Sequence, residues 1–341
     1  MADGSAISWT DATWNPVRGC RRVSDGCRNC YAERQAARFS GPGMPYESLV
    51  TLTDVGPRWS GATRVVDEQL GVPLRWTKPR RIFVDSMSDL FYEGFTADDI
   101  AEVFAVMGMA HWHQMQVLTK RAARARALLS DDRFYEKVLW AASRRRAAMK
   151  HHALKTYPDH HRHPSGLDWP LRNVWLGVSV ENQAAADERI PNLLATPAAV
   201  RFISAEPLLE LVDLEHIHLE GMVEINALAG THGVARPHAD CNAGLDWVIA
   251  GCESGPGARR CDVSWLRSLR DQCAAAGVPF FLKQATEELT FSGPASRRVP
   301  GVLTLAPVIG AGAGSKRKAG GVIELPYLDG IQHAAFPGGP T

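Results

Sequence analysis

Seven short apolar runs recur along the chain, at residues 7–10, 81–89, 113–121, 173–180, 199–204, 246–250 and 279–283. Helical periodicity fills much of the space between them, at 31–39, 96–108, 122–129, 183–194 and 264–276. Strands that alternate with helices predict a parallel sheet. Seven strands suit an α/β fold of the full or partial (β/α) TIM-like barrel type. A doubly wound open sheet is the alternative. No G-x-G-x-x-G follows the first run, so a dinucleotide fold has no phosphate signature here.

Between the first two runs lie three cysteines, Cys20, Cys27 and Cys30, spaced C-x6-C-x2-C. Gly19 and Gly26 precede the first two and permit a tight turn around an inorganic core. Three thiolates on one loop can hold three irons of a four-iron, four-sulfur cluster and leave the fourth iron open. A structural zinc or structural cluster would want a fourth protein ligand. Zinc stays open as a reading, because Cys27-x2-Cys30 is a good half-site. A disulfide is disfavoured, since residues 1–8 are short and polar and resemble no signal peptide.

The stretch Asn15-Pro16-x-x-Gly19-Cys20 followed by Cys27-x-x-Cys30-Tyr31-Ala32 resembles the cluster loop of radical S-adenosylmethionine (radical SAM) enzymes. It is most similar to the branch around spore photoproduct lyase and its DNA-photolyase-like relatives. That superfamily commonly reads C-x3-C-x2-C; the longer first gap here resembles phage- and prophage-encoded proteins of unassigned function. Segments 8–34, 80–92, 114–121, 173–182, 200–209, 246–258 and 279–284 share the likeness, so it covers most of the chain. The resemblance implies a radical SAM barrel, a 4Fe-4S cluster on Cys20, Cys27 and Cys30, S-adenosyl-L-methionine as cofactor and a reductant such as flavodoxin or ferredoxin. The resemblance does not imply the substrate; only the family branch and the basic segments point to modification or repair of a nucleic acid or nucleotide. A cluster-bearing or zinc-bearing phage accessory protein without turnover is the second reading.

In βα barrels the working residues lie at the carboxyl ends of the strands. Here those ends are uniformly polar: Asp85, Ser86, Ser88 and Asp89; Thr119, Lys120 and Arg121; Ser179, Glu181 and Asn182; Ser204 and Glu206; Gly251, Glu253 and Ser254; Lys283 and Gln284. For the cofactor's amino and ribose groups the candidates are Asp89, Glu206 and Glu253, with Ser179, Glu181, Asn182 and Ser204 beside them. Lys120, Arg121 and Lys283 are candidates for its carboxylate or for substrate phosphate. The strand ends offer almost no histidine, which argues against a His/Asp metallohydrolase. The family segment at 251–254 usually reads Gly-Gly-Glu-Ser; Cys252 stands in place of the second glycine. A second metal site on Cys241, Cys252 and Cys261 competes there with three plain thiols.

Residues 1–290 are therefore expected to form the barrel, with an insertion at about 131–172. The insertion carries Arg144, Arg145, Arg146 and Lys150, a candidate polyanion arm, and a histidine-rich run at 151–163. Residues 291–341 are rich in Gly, Pro and Ala and are expected to pack on the barrel or trail from it. The formal net charge is +1, so the whole chain is no general trap for nucleic acid. No apolar run reaches spanning length, so no membrane is expected. Seven cysteines without a secretion signal suggest a cytoplasmic protein.

Overall fold

The computed structural model describes residues 5–148, 167–219, 223–232, 243–286, 309–310, 314–318, 322–329 and 331–338. The fold is mixed α/β, with mostly parallel strands, and it divides into two compact units.

The first unit comprises residues 1–177 and 196–200. Its strands run β1 (Ala12–Trp14), β2 (Val50–Thr53), β3 (Gly56–Trp59), β4 (Arg81–Val84), β5 (Gln114–Thr119) and β6 (Val174–Ser179). The sheet order is β1-β4-β5-β6, and β1–β4 and β4–β5 are parallel. The first strand lies later than residues 7–10. That stretch turns instead, with Thr10 N–H on the Ile7 carbonyl, because Trp9 is buried and the Thr10 hydroxyl donates to the carbonyls of Ala12 and Arg81.

Helix α1 (Tyr31–Ala37) follows the cysteines, and β2 and β3 form a hairpin against it. Helix α2 (Ala97–Met109) begins in a capping box: Asp99 N–H donates to Thr96 Oγ1, and Thr96 N–H donates to Asp99 Oδ2. Ile100, Ala101 and every residue from Val103 to Met109 are buried. A helix apolar all round must be covered on several faces. Helix α4 (Asp132–Ala148) packs on it, and its Phe134 meets Phe104 edge-on at 5.7 Å. A Cβ on Gly108 would lie 2.8 Å from Leu167, so the chain returning after residue 166 packs there too. The expected insertion therefore begins with a packed helix, preceded by α3 (Ala122–Leu129). Lys150 and the histidines at 151–163 lie outside the described residues.

The second unit comprises residues 178–195 and 201–341. Helix α5 (Gln183–Leu194) leads to β7 (Val200–Ala205), β8 (Trp247–Gly251), α6 (Val263–Ala276) and β9 (Phe280–Thr286). Strands β7, β8 and β9 are parallel neighbours, and the Val180 N–H just beyond β6 donates to Ser204 in β7. The tail adds β10 (Lys316–Lys318) and β11 (Val322–Glu324), antiparallel, in the order β9-β11-β10. Part of residues 291–341 is thus sheet. Within the described residues, no helix is long and apolar enough to cross a membrane.

Candidate functional site

The cysteine loop belongs to the first unit. Gly19 opens it at φ 101, where a Cβ would lie 2.1 Å from the Ala62 carbonyl oxygen; no other residue fits this position. Gly19 also bridges to Ser88, beyond the end of β4. The long first gap folds into a short 3-10 turn, Asp25–Cys27, and Cys30 is the N-cap of α1. All three thiols are free and partly exposed.

Two arginines hold the loop. Arg22 donates from Nε to Glu33 Oε1 at 3.0 Å and from Nη2 to the Arg28 carbonyl at 2.8 Å, so it crosses the x6 gap from inside. Glu33 is buried and also accepts the Trp59 N–H at 3.1 Å, which ties the loop to the β2–β3 hairpin. Arg121, at the end of β5, donates to the Arg21 carbonyl at 2.8 Å, to Asp89 Oδ2 at 2.9 Å and to Glu93 Oε2 at 2.9 Å; its Nη1 lies 4.0 Å from Cys20 Sγ. Asp89 is filled by protein donors, accepting also from the Thr119 hydroxyl and the N–H groups of Phe91 and Lys120.

Burial, then the Asp89 carboxylate, pushes the Cys20 thiol up to about 12, and Arg121 opposes the rise. Burial raises Cys30 as well, while the N–H groups of Ala32 and Glu33 face its sulfur and favour the thiolate. Cys27 and Cys30 lie close enough to Cys20 for their charges to act on it. Below the loop, Asp85 sits at φ 57 and accepts the Val17 N–H at 3.4 Å; burial holds its carboxyl well above the usual range.

The polyanion candidates on α4 are engaged. Arg144 and Arg145 both pair with Glu102 of α2, and Arg144 also lies over the Trp140 ring. Arg146 is half-buried and has a partner. Exposed arginines occur instead beside the cysteines, at Arg21 and Arg28.

Lys120, half-buried in the first unit, gives its N–H to Asp89, and the remaining candidates lie in the second unit. Lys283 Nζ sits between both Glu206 oxygens at 2.7 and 2.8 Å, partly exposed. A Cβ on Gly251 would lie 3.3 Å from the Glu206 carboxyl carbon, so the glycine makes room for that pair. Glu253 accepts the Arg259 N–H and guanidinium at 2.6 to 2.9 Å. Glu181 is fully buried on Arg189, which also bonds the Ser179 carbonyl; Asn182 caps α5 by accepting the Ala185 N–H. Ser204 is buried within β7. These four and Glu253, buried on Arg259, are consumed by the fold's own bonds or packing, whereas Glu206 and Lys283 retain some exposure.

Cys252 and Cys261 are buried in thiol–thiol contact, which raises Cys261 together with burial. Cys241 lies outside the described residues. Among the described residues, no three His, Cys, Asp or Glu side chains form a group that could hold a metal ion.

Arg22, Glu33, Arg189 and Arg259 escaped the sequence reading. Two left a trace: Glu33 shares the buried face of α1 with Ala32 and Ala36, and Arg189 shares that of α5 with Ala185 and Ile190. A charge on an apolar stripe signals a buried partner.

Neither curated proteins nor solved structures yield a match to this chain. A family model described as "Protein of unknown function (DUF5131)" matches residues 4–337. The match spans almost the entire sequence, and the chain belongs to that family.

Proposed function

We propose that the protein is an iron–sulfur enzyme of the radical SAM type. Cys20, Cys27 and Cys30 would hold three irons of a 4Fe-4S cluster, in a partial barrel of βα units. The observation that carries the reading is a single loop bearing three free thiols and closed by protein bonds alone, through Arg22, Glu33 and Arg121. The donor set suits the cluster: three soft thiols on one loop.

The bound cluster and S-adenosylmethionine would supply a 5′-deoxyadenosyl radical that removes hydrogen from a substrate. The chain's own part is placement. Arg22 and Glu33 fix the loop, and Asp89 orients Arg121 rather than meeting the cofactor. Glu206 is the carboxylate with exposure left for a cofactor amino or ribose group, and Lys283 is the matching cation; Glu253 is buried on Arg259 and serves the fold. A nucleic acid or nucleotide substrate is supported by the sequence likeness and by Arg21 and Arg28, exposed beside the thiols.

Anaerobic reconstitution with iron and sulfide tests this. The expected result is about four irons and four sulfides per chain. The reduced spectrum should change on adding S-adenosylmethionine, and 5′-deoxyadenosine should appear. Iron uptake without that response would leave a cluster protein without radical chemistry. No uptake, or zinc alone, overturns the proposal.

A further inference from the structure

We infer that Arg121 is a positioning residue that sets the reduction potential of the group held by the cysteine loop, and that it does not read substrate or cofactor anions. The inference rests on the iron–sulfur reading above.

Sequence alone placed Arg121 among phosphate- and carboxylate-binding candidates. Its surroundings assign it elsewhere. The side chain is buried, and four of its five N–H directions are taken. Nε meets Glu93, Nη2 meets the Arg21 carbonyl, and Nη1 faces both Asp89 and, at 4.0 Å, the Cys20 sulfur. The guanidinium carbon lies 4.8 Å from the centre of the Tyr92 ring. A cation so enclosed has little left to offer an incoming anion. It is instead a fixed positive charge, with an N–H aimed at the first cysteine.

Iron–sulfur potentials respond to net charge, to hydrogen bonds on sulfur and to solvent exposure. Reduction adds one negative charge to the cluster. Arg121 favours the reduced state, and Asp89 and Glu93 oppose it. Asp89 is buried, while the Glu93 side chain is 62% exposed and so partly screened. The three side chains sum to one negative charge. Removing the guanidinium makes that two; neutralising Glu93 makes it zero. The substitutions Arg121→Met and Glu93→Gln should therefore move the potential in opposite directions. Glu93→Gln gauges whether charge at this distance reaches the group at all, and the Arg121 variants test the guanidinium itself.

The test is a spectroscopically monitored redox titration of the full chain after reconstitution, comparing wild type with Arg121→Met, Arg121→Lys and Glu93→Gln. Arg121→Met is expected to lower the reduced-to-oxidised ratio at fixed poise at least tenfold, about 59 mV for a one-electron couple. Arg121→Lys should recover most of that loss, and Glu93→Gln should shift the potential upward. If Arg121→Met fails to assemble a cluster, Arg121→Gln, which keeps an N–H donor without the charge, decides: a downward shift supports the inference and an unchanged potential overturns it. Loaded variants with the wild-type potential overturn the inference and leave the enzyme reading standing. A wild-type chain that takes up no iron–sulfur group overturns both.

Discussion

Arg22 lies across the carboxylate of Glu33 with contacts to both oxygens, and the same guanidinium reaches the Arg28 carbonyl six residues on. The metal-free loop is thus shaped by one ion pair whose acid is buried and whose base is partly exposed. Glu33→Ala removes the acceptor for Arg22, Arg58 and the Trp59 N–H together. The expected loss is about 3 kcal/mol, the lower end for breaking a buried pair, because Arg22 can turn to water. Urea unfolding of the metal-free chain checks it, with limited proteolysis at residues 20–30 as a local readout.

Gly19→Ala should be as damaging without touching any charge. Its φ of 101 is strained for an L side chain, and the new methyl would collide with the Ala62 carbonyl. Backbone strain alone amounts to about 1–3 kcal/mol. The variant is expected to lose iron uptake, and a variant that loads like wild type would show that the loop can relocate.

Asp85 carries a pH signature. Burial raises its carboxyl well above the ordinary aspartate value of 3.8, so the folded chain holds a proton that the unfolded chain releases. Stability from this group is fullest below 3.8 and falls as pH rises towards the folded value. Asp85→Asn keeps the shape, tolerates positive φ and has no proton to lose. Its unfolding midpoint should fall less than that of wild type between acid and neutral pH. Parallel curves would mean that Asp85 is ionised in the folded chain.

Asp329 runs the other way. Bonds from Arg267 and Arg270 of α6 lower its carboxyl to about 2. The stability it adds is present above 3.8 and is lost as pH falls through about 2. Partial exposure keeps the effect small. Asp329→Asn should melt slightly below wild type at neutral pH, and the two should converge near pH 2.

Arg189→Met tests whether Glu181 serves the fold. It strands a fully buried carboxylate, and the expected cost is about 3–5 kcal/mol. A variant as stable as wild type would free Glu181 for a ligand.

Helix positions were legible because 3.6-residue periodicity and the Thr96 cap are local signals. The parallel sense of β8 and β9 was legible from the helix between them, whereas no helix separates β7 from β8 among the described residues. The hairpin at 50–59 was not legible: its two-residue turn is Asp54-Val55, its outward residues include Leu52 and Val55, and its support comes from α1. At the site, the cysteines announced themselves by spacing. Arg22 and Glu33 stand eleven residues apart and gain meaning only once the loop folds back. Arg121 looked like an anion reader because sequence shows its charge and not the carboxylates enclosing it.

The pairing of β11 with β9 has a practical corollary for anyone trimming this chain. Composition invites a cut near residue 290, where the Gly- and Pro-rich tail begins. Such a cut would strip the neighbour from Gln284, Ala285 and Thr286 and leave a row of unbonded amides and carbonyls on view. Bare strand borders of that sort recruit other chains. Shortened versions should therefore precipitate, however well the cysteine loop itself survives.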